Sequence, residues 1–357
     1  MPGGIPAWGV AAGGLIPKGG APQGCGLSGR GCEAHVPGHA SFAFFLKSAR
    51  CLCHVCYNTP VMRETTIDKR EAECWAALMV GDALGSPAEF LCANEIRMSY
   101  PNGLREMVPG FGIMIDRLPG EVTDDTQMAV CLHRALVRAG GWDAATAREE
   151  YLRWLATNPP DVGVTVRAGL EGRPILESQG NGALMRVMPI ALWALRHPDF
   201  DWERAAREDA CLTHLHPVCV DCNALYVYAL LQASRADATR QGVYDSALAW
   251  ARQQQMDLTI ITALLAAATT PPVYDDNGGE RIGWVLIALQ CAFYHLLHAP
   301  SLAEALSTIV TAGGDTDTNA AITAPLLAAI EGIDSLPSEW LRCVKRANPE
   351  YDHLLPS

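Results

Sequence analysis

Two short acidic motifs carry the chemistry that this sequence advertises. The first is Thr123-Asp124-Asp125-Thr126 and the second is Gly313-Gly314-Asp315-Thr316-Asp317-Thr318. Each sets two carboxylates and adjacent hydroxyls just before an apolar helical pattern. Either motif alone reads as capping, because Thr and Asp cap helices well and carboxylates favour the positive helix end. A cap needs one side chain, however, and here there are two carboxylates and two hydroxyls, with a Gly pair that admits close backbone approach. If the motifs converge, their oxygens make a ligand set for hard divalent cations, Mg or Mn in preference to zinc.

Three further segments add polar groups. Gly81-Asp82-Ala83-Leu84-Gly85 precedes Pro87 and Glu89, so the first helix ends there and Glu89 lies in freed backbone. As a residue by itself, Glu89 reads equally well as a solvated loop acid. Gly180-Asn181-Gly182-Ala183-Leu184-Met185-Arg186 offers glycines whose backbone N–H groups would meet a phosphate at a helix start; a plain turn before a helix is the alternative. Thr213-His214-Leu215-His216-Pro217 reads as a helix-to-helix turn, where a His pair is more often structural.

The elements that must position these groups are helices. Trp75, Leu78 and Met79 with Ala72, Ala76 and Ala83 make an almost all-round apolar segment, hence a buried helix. Met128, Leu132, Ala135 and Leu136 fall on one helical face. The pattern predicts further helices over 144–157, 183–196, 203–214, 217–234, 244–269 (as two), 281–298, 301–312, 317–332 and 338–347. The Gly- and Pro-rich stretch 99–122 reads as loop, and alternating strand patterns are nearly absent. The expected fold is one all-α domain over 62–357, larger than a four-helix bundle.

Composition sets the outer bounds. The chain has 357 residues, 49% of them hydrophobic and 18% charged, which excludes a fully disordered protein. A net charge of -12 argues against nucleic acid as a partner, since phosphate contacts need clustered Lys and Arg. The charge is uneven: residues 1–61 hold four basic groups against Glu33 alone, and 62–357 hold the large acidic excess. Residues 1–61 are rich in Gly and Pro without a period, and read as a flexible extension or as sequence upstream of a start at Met62. Five of the 13 cysteines lie there: Cys25, Cys32 and the three of a Cys51-Leu-Cys-His-Val-Cys56 run, with His35 between. That spacing lacks the second pair a zinc site needs. No apolar run is long enough for a membrane helix and the first residues lack a secretory pattern, so a cytoplasmic location is expected.

Taken together and in this order, the five motifs resemble the ADP-ribosylglycohydrolase family, over about residues 71–335. The resemblance implies a large orthogonal all-α bundle with a two-metal cleft holding two divalent cations, Mg or Mn. It implies Thr123, Asp124, Asp125, Asp315, Asp317 and Thr318 as metal ligands. Glu89 would assist catalysis or gating, with Asp125 or Asp317 next in line to take a proton from water. Gly180, Asn181, Gly182 and His214 would line the ADP-ribose site. Gly283-Trp284-Val285 resembles a family Gly-Tyr-Val, with Trp284 keeping an aromatic face and losing a phenol hydroxyl. The implied reaction is hydrolysis at ribose C1″ of an ADP-ribosylated protein side chain, arginine first, with serine or a small-molecule ester as alternatives. A different class of function is an immunity or binding protein that neutralises an ADP-ribosylating toxin by contact, through residues 1–61. The complete acidic set weighs against it, because a pure binder has no need of six ligands.

Overall fold

A computed structural model describes residues 68–111, 116–274 and 281–356. The expectations for residues 1–61, including the cysteine run and the contact-binding reading, lie outside the described residues.

Among the described residues the architecture is helical, with isolated two-residue bridges and no strands. The buried centre is a pair of helices, α1 (Lys69–Gly85) and α13 (Thr316–Glu331). Asp68 caps α1 by accepting from the Glu71 N–H at 2.9 Å. From Glu71 to Gly85 every residue of α1 is buried, as the all-round apolar pattern requires. The two helices approach unusually closely because their facing residues are small. A Cβ on Gly81 would lie 2.7 Å from the Ala320 carbonyl oxygen, and one on Gly85 would lie 2.4 Å from both Cα and N of Asp317. Gly85→Ala is therefore expected to cost about 3 kcal/mol, at the top of the overpacking range, and to displace Asp317. Denaturant unfolding together with divalent-cation affinity checks this; wild-type values for both would contradict it.

Around this pair run α2 (Ala93–Ser99), α3 (Asp124–Ala139), α4 (Ala144–Ala156), α5 (Val164–Leu170), α6 (Met188–Arg196) and α7 (Trp202–Cys211). They are followed by α8 (Pro217–Ala233), α9 (Arg240–Gln253), α10 (Leu258–Ala267), α11 (Val285–His298), α12 (Leu302–Ala312) and α14 (Ser338–Ala347). The predicted split of 244–269 into two helices is observed as α9 and α10. No helix among the described residues is long and apolar enough to cross a membrane. The eight described cysteines are free and mostly buried, and burial raises the Cys74, Cys131 and Cys219 thiols to about 12.

Three helix starts differ from the sequence expectation: α9 begins at Arg240, four residues before the expected 244, behind a Thr239 cap that accepts from the Gly242 N–H, and two others begin late. The helix expected from 183 begins at Met188, with Pro189 in its first turn. Residues before it form turns whose carbonyls are taken by side chains: Arg186 Nη1 donates to Gly182 O at 3.1 Å and Asn223 Nδ2 to Ala183 O at 3.3 Å. The helix expected from 281 begins at Val285, because Gly283 adopts a φ of 74°, which helical residues do not. The short helices α2 and α5 lie in stretches with too few residues to show a period.

Candidate metal centre and substrate cleft

Neither acidic motif behaves as a simple cap. Thr123 and Asp315 occupy the N-cap positions of α3 and α13, yet neither side chain makes a capping bond. The Thr123 hydroxyl instead reaches two carboxylates, Asp82 Oδ1 at 2.9 Å and Asp125 Oδ2 at 3.0 Å. Asp315 Oδ2 accepts from Asn181 Nδ2 at 2.6 Å.

The start of α3 is capped from across the core. Asp82, in the interior of α1, accepts from the Thr123 and Thr126 N–H groups at 3.0 and 3.1 Å and from the Thr126 hydroxyl at 2.6 Å. This docks the first motif against α1, beside α13 and the second motif. Asp82, Asp125 and Asp317 then offer one oxygen each within 4.8 Å of one another, and Glu89, Asp315 and Asp317 do the same. Asp317 is common to both groups. Thr318 joins them, its hydroxyl 3.4 Å from Asp125 Oδ2.

Glu89 is carried to the cluster by backbone pairing. The segment after it is zipped to the glycines of the second motif: Phe90 N–H donates to Gly314 O at 2.8 Å and Gly314 N–H to Leu91 O at 2.9 Å. Phe90 adopts a φ of 61°, a left-handed conformation rare for an aromatic residue. A Cβ on Gly313 would lie 2.6 Å from Leu91 O, so this close pairing requires glycine. The loop acid is thus a buried group, 6% exposed.

Electrostatics mark the cluster as built for positive charge. Burial is the largest influence on Asp125, Asp317 and Glu89 and raises all three well above the carboxylate range, and neighbouring carboxylates raise them further. Asp124 is pushed to about 8 by burial, then by Asp161 and Asp82, against a hydrogen bond from the Gly163 backbone. Asp82 and Asp315 are also raised by burial, opposed by hydrogen bonds from Thr126 and Thr123 and from Asn181 respectively. Two carboxylate oxygens, Asp125 Oδ1 and Glu89 Oε2, are buried without any hydrogen-bond partner. Unpaired buried carboxylate oxygens are costly, and an all-oxygen donor set of this kind fits Mg, Mn or Ca. The residues present therefore suit a divalent cation.

Two acids at the site were not singled out from sequence. Asp82 sits inside a recognised motif, but nothing local shows that it faces α3. Asp161, after Pro159-Pro160, has no motif at all; its charge acts on Glu89, Asp124, Asp315 and Asp317. It pairs with Arg117 at 2.8 Å.

The remaining candidates form one wall beside the acids. Asn181 N–H donates to Gly283 O at 2.9 Å, and Gly180 pairs with Trp284 in an isolated bridge. The Asn181 amide is therefore engaged within the fold, and the turn precedes its helix by several residues. A Cβ on Gly180 would lie 3.2 Å from His214 Nε2 and one on Gly182 3.2 Å from His214 Cε1, so the turn lies flat on the imidazole. Trp284 Nε1 donates to Gln179 Oε1 at 3.0 Å, and the Arg281 guanidinium stands 5.1 Å from the indole centroid. His216 is apart from the acids: its Nδ1 accepts from Val218 N–H at 3.2 Å as a cap of α8.

With this geometry in view, the chain matches the ADP-ribosylglycohydrolase family over residues 63–355. It is 30% identical over 298 residues to the ADP-ribosyl-[dinitrogen reductase] glycohydrolase of Rhodospirillum rubrum, covering 78% of this chain and 92% of that protein. It is 25% identical over 310 residues to the ADP-ribosylarginine hydrolase Tri1 of Serratia proteamaculans, covering 80% and 78%. A solved ADP-ribosylglycohydrolase-related protein complex superposes with a TM-score of 0.68 at 26% identity, covering 80% of this chain and 95% of that one.

Proposed function

The chain belongs to the ADP-ribosylglycohydrolase family and is a hydrolase of glycosyl bonds, and from that premise we propose that it releases ADP-ribose from modified arginine side chains of proteins. The observation that carries this reading is the buried carboxylate cluster around Asp317, with the unpartnered oxygens of Asp125 and Glu89 inside it. Thr123, Asp124, Asp125, Asp315, Asp317 and Thr318, with Asp82 added, would hold two divalent cations, Mg or Mn. Bound there, the cations supply positive charge that orients ribose hydroxyls and eases deprotonation of water.

The chain's own groups do the rest. Glycosidic bonds break through an oxocarbenium-like state, which carboxylates around C1″ stabilise. Glu89 takes the proton of the attacking water; burial and the Asp317 charge give its carboxylate the raised proton affinity a general base needs. Asn181 holds Asp315 in place through its 2.6 Å bond. His214, Gly180, Gly182 and Trp284 bound the ADP-ribose half of the cleft. A surplus of carboxylates favours a cationic acceptor over a neutral one, and Asp161 already accepts one guanidinium, that of Arg117. The name of the Serratia relative supports the same acceptor.

The test is product identity. The full chain is incubated with ADP-ribosyl-arginine and ADP-ribosyl-serine proteins, each with Mg, with Mn and with EDTA. Cation-dependent release of ADP-ribose from arginine is expected. Release from serine alone would remove the arginine assignment, and no release from any linkage by folded, cation-loaded protein would remove the ADP-ribosyl reading.

A further inference from the structure

Behind the Gly180–Gly182 wall lies a fully buried arginine that the chemistry above does not use. Arg186 and Asp209 are both 0% exposed and pair at 3.0 Å, Nε to Oδ2. Arg186 Nη2 donates to the Asp209 carbonyl at 2.8 Å, while Nη1 donates to Gly182 O at 3.1 Å and to the Thr213 hydroxyl at 2.9 Å. Tyr151 completes the network: its ring lies 4.7 Å below the guanidinium and its hydroxyl donates to Asp209 Oδ1 at 2.7 Å. One planar donor fork therefore ties together two turns distant in sequence, 180–182 and 213–214. The two turns meet at the His214 ring, and Asn181 reaches from the first to Asp315.

The proton count at Thr213 has a consequence. A guanidinium only donates, so Thr213 Oγ1 accepts from Arg186 and its own proton is left over. The acceptor within reach is His214 Nδ1 at 2.8 Å. An Nδ1 that accepts leaves the proton of a neutral imidazole on Nε2, the atom that faces Gly180. We propose that Arg186 is a positioning residue: through Thr213 it presets His214 as the Nε2–H donor, and through Gly182 it sets the turn that carries Asn181, so that the ADP-ribose half of the substrate meets a prearranged wall. Burial and the Arg186 charge hold the imidazole neutral, lowering it to about 3, so the donor state persists across working pH. The substrate half of this proposal rests on the ADP-ribose reading; the tautomer half does not.

The experiment uses the full chain with Mg and ADP-ribose as the probe. Histidine ring 15N shifts, assigned with His214→Ala, report the tautomer without ligand, and calorimetry reports ADP-ribose affinity. Wild type is expected to show His214 as Nε2–H. Thr213→Val should lose that preference and weaken ADP-ribose binding about tenfold, the loss of one buried hydrogen bond in free-energy terms. Thr213→Ser keeps the hydroxyl and should stay within about twofold of wild type, a rescue that a merely space-filling role would not give. Arg186→Lys should raise KM more than it lowers kcat; if it fails to fold, the Thr213 pair still decides. An Nδ1–H tautomer in wild type, or unchanged binding by Thr213→Val, would overturn the proposal. A wild type that shows Nε2–H yet binds no ADP-ribose would overturn the ADP-ribose reading and, with it, the substrate half.

Discussion

Asp317→Ala is expected to abolish ADP-ribose release, by about a thousandfold or more in kcat/KM, while leaving the cation-free protein folded and more heat-stable than wild type. The activity loss follows from position. Asp317 is the carboxylate shared by both acid groups, and loss of a shared ligand forfeits several kcal/mol of transition-state charge stabilisation. The stability gain follows from the same crowding. Burial raises the Asp317 carboxyl well above its ordinary range, with Asp315, Asp82, Asp161 and Asp124 adding to the shift. A site arranged in this way stores repulsion that function needs and the fold does not. Asp317→Asn, which keeps the shape, should behave alike. Steady-state assays and thermal unfolding in EDTA read both effects. Retained turnover would contradict the shared-ligand role, and a lower melting temperature in both variants would contradict the electrostatic account.

The second large effect couples pH to cation binding. A carboxyl whose pKa is raised by folding adds stability that is complete below its unfolded pKa and is lost as pH rises towards its folded value. Unfolded carboxyls titrate near 4, whereas Asp124 titrates at about 8 and Asp125, Asp317 and Glu89 are raised well above their ordinary range. In EDTA the melting temperature should therefore fall between pH 7 and pH 8, with each such group contributing up to about 1.4 kcal/mol per pH unit. Below about 6.5 the trend is opposed, because burial lowers His214 to about 3 and His133 and His295 to about 4. Those histidines must stay neutral in the fold and oppose it when protonated, so the neutral-to-alkaline window removes their contribution. Millimolar Mg or Mn should flatten the slope and raise the melting temperature most at pH 8. Glu71, raised to about 7 chiefly by burial and paired with Arg196, contributes to the same slope from outside the cluster. The variant Glu71→Gln removes that share. A slope unchanged by cations in that variant would show that the cluster does not bind them.

Much of this was legible along the chain, for identifiable reasons. Gly85 and Pro87 announce the end of α1, and the fold ends it at Gly85. The pattern over 317–332 announces α13, and Pro325 inside it does not break the helix, since α1, α8, α11 and α12 pack around it. What was not legible has no local signal. Asp161 follows two prolines and is brought beside the acids by tertiary contacts, its own pair with Arg117 and the bond from the Gly163 backbone to Asp124. The late start of α6 depends on Arg186 and Asn223 supplying donors to carbonyls that a helix would have used.

The sequence by itself determined which groups are available and their local setting: carboxylates and hydroxyls at helix starts, glycines where chains must cross, and apolar periods that force helices. Those follow from residue type and spacing over a few positions, where local sterics and hydrogen bonding rule. The tertiary structure alone decided that Asp82 turns inward to cap α3, that Asp317 is shared between two acid groups, and that Glu89 is buried and not solvated. The physical reason is that these depend on the approach of α1 to α13 and on backbone pairing of residues 90–92 with 313–314. Contacts across more than two hundred residues leave no periodicity to read.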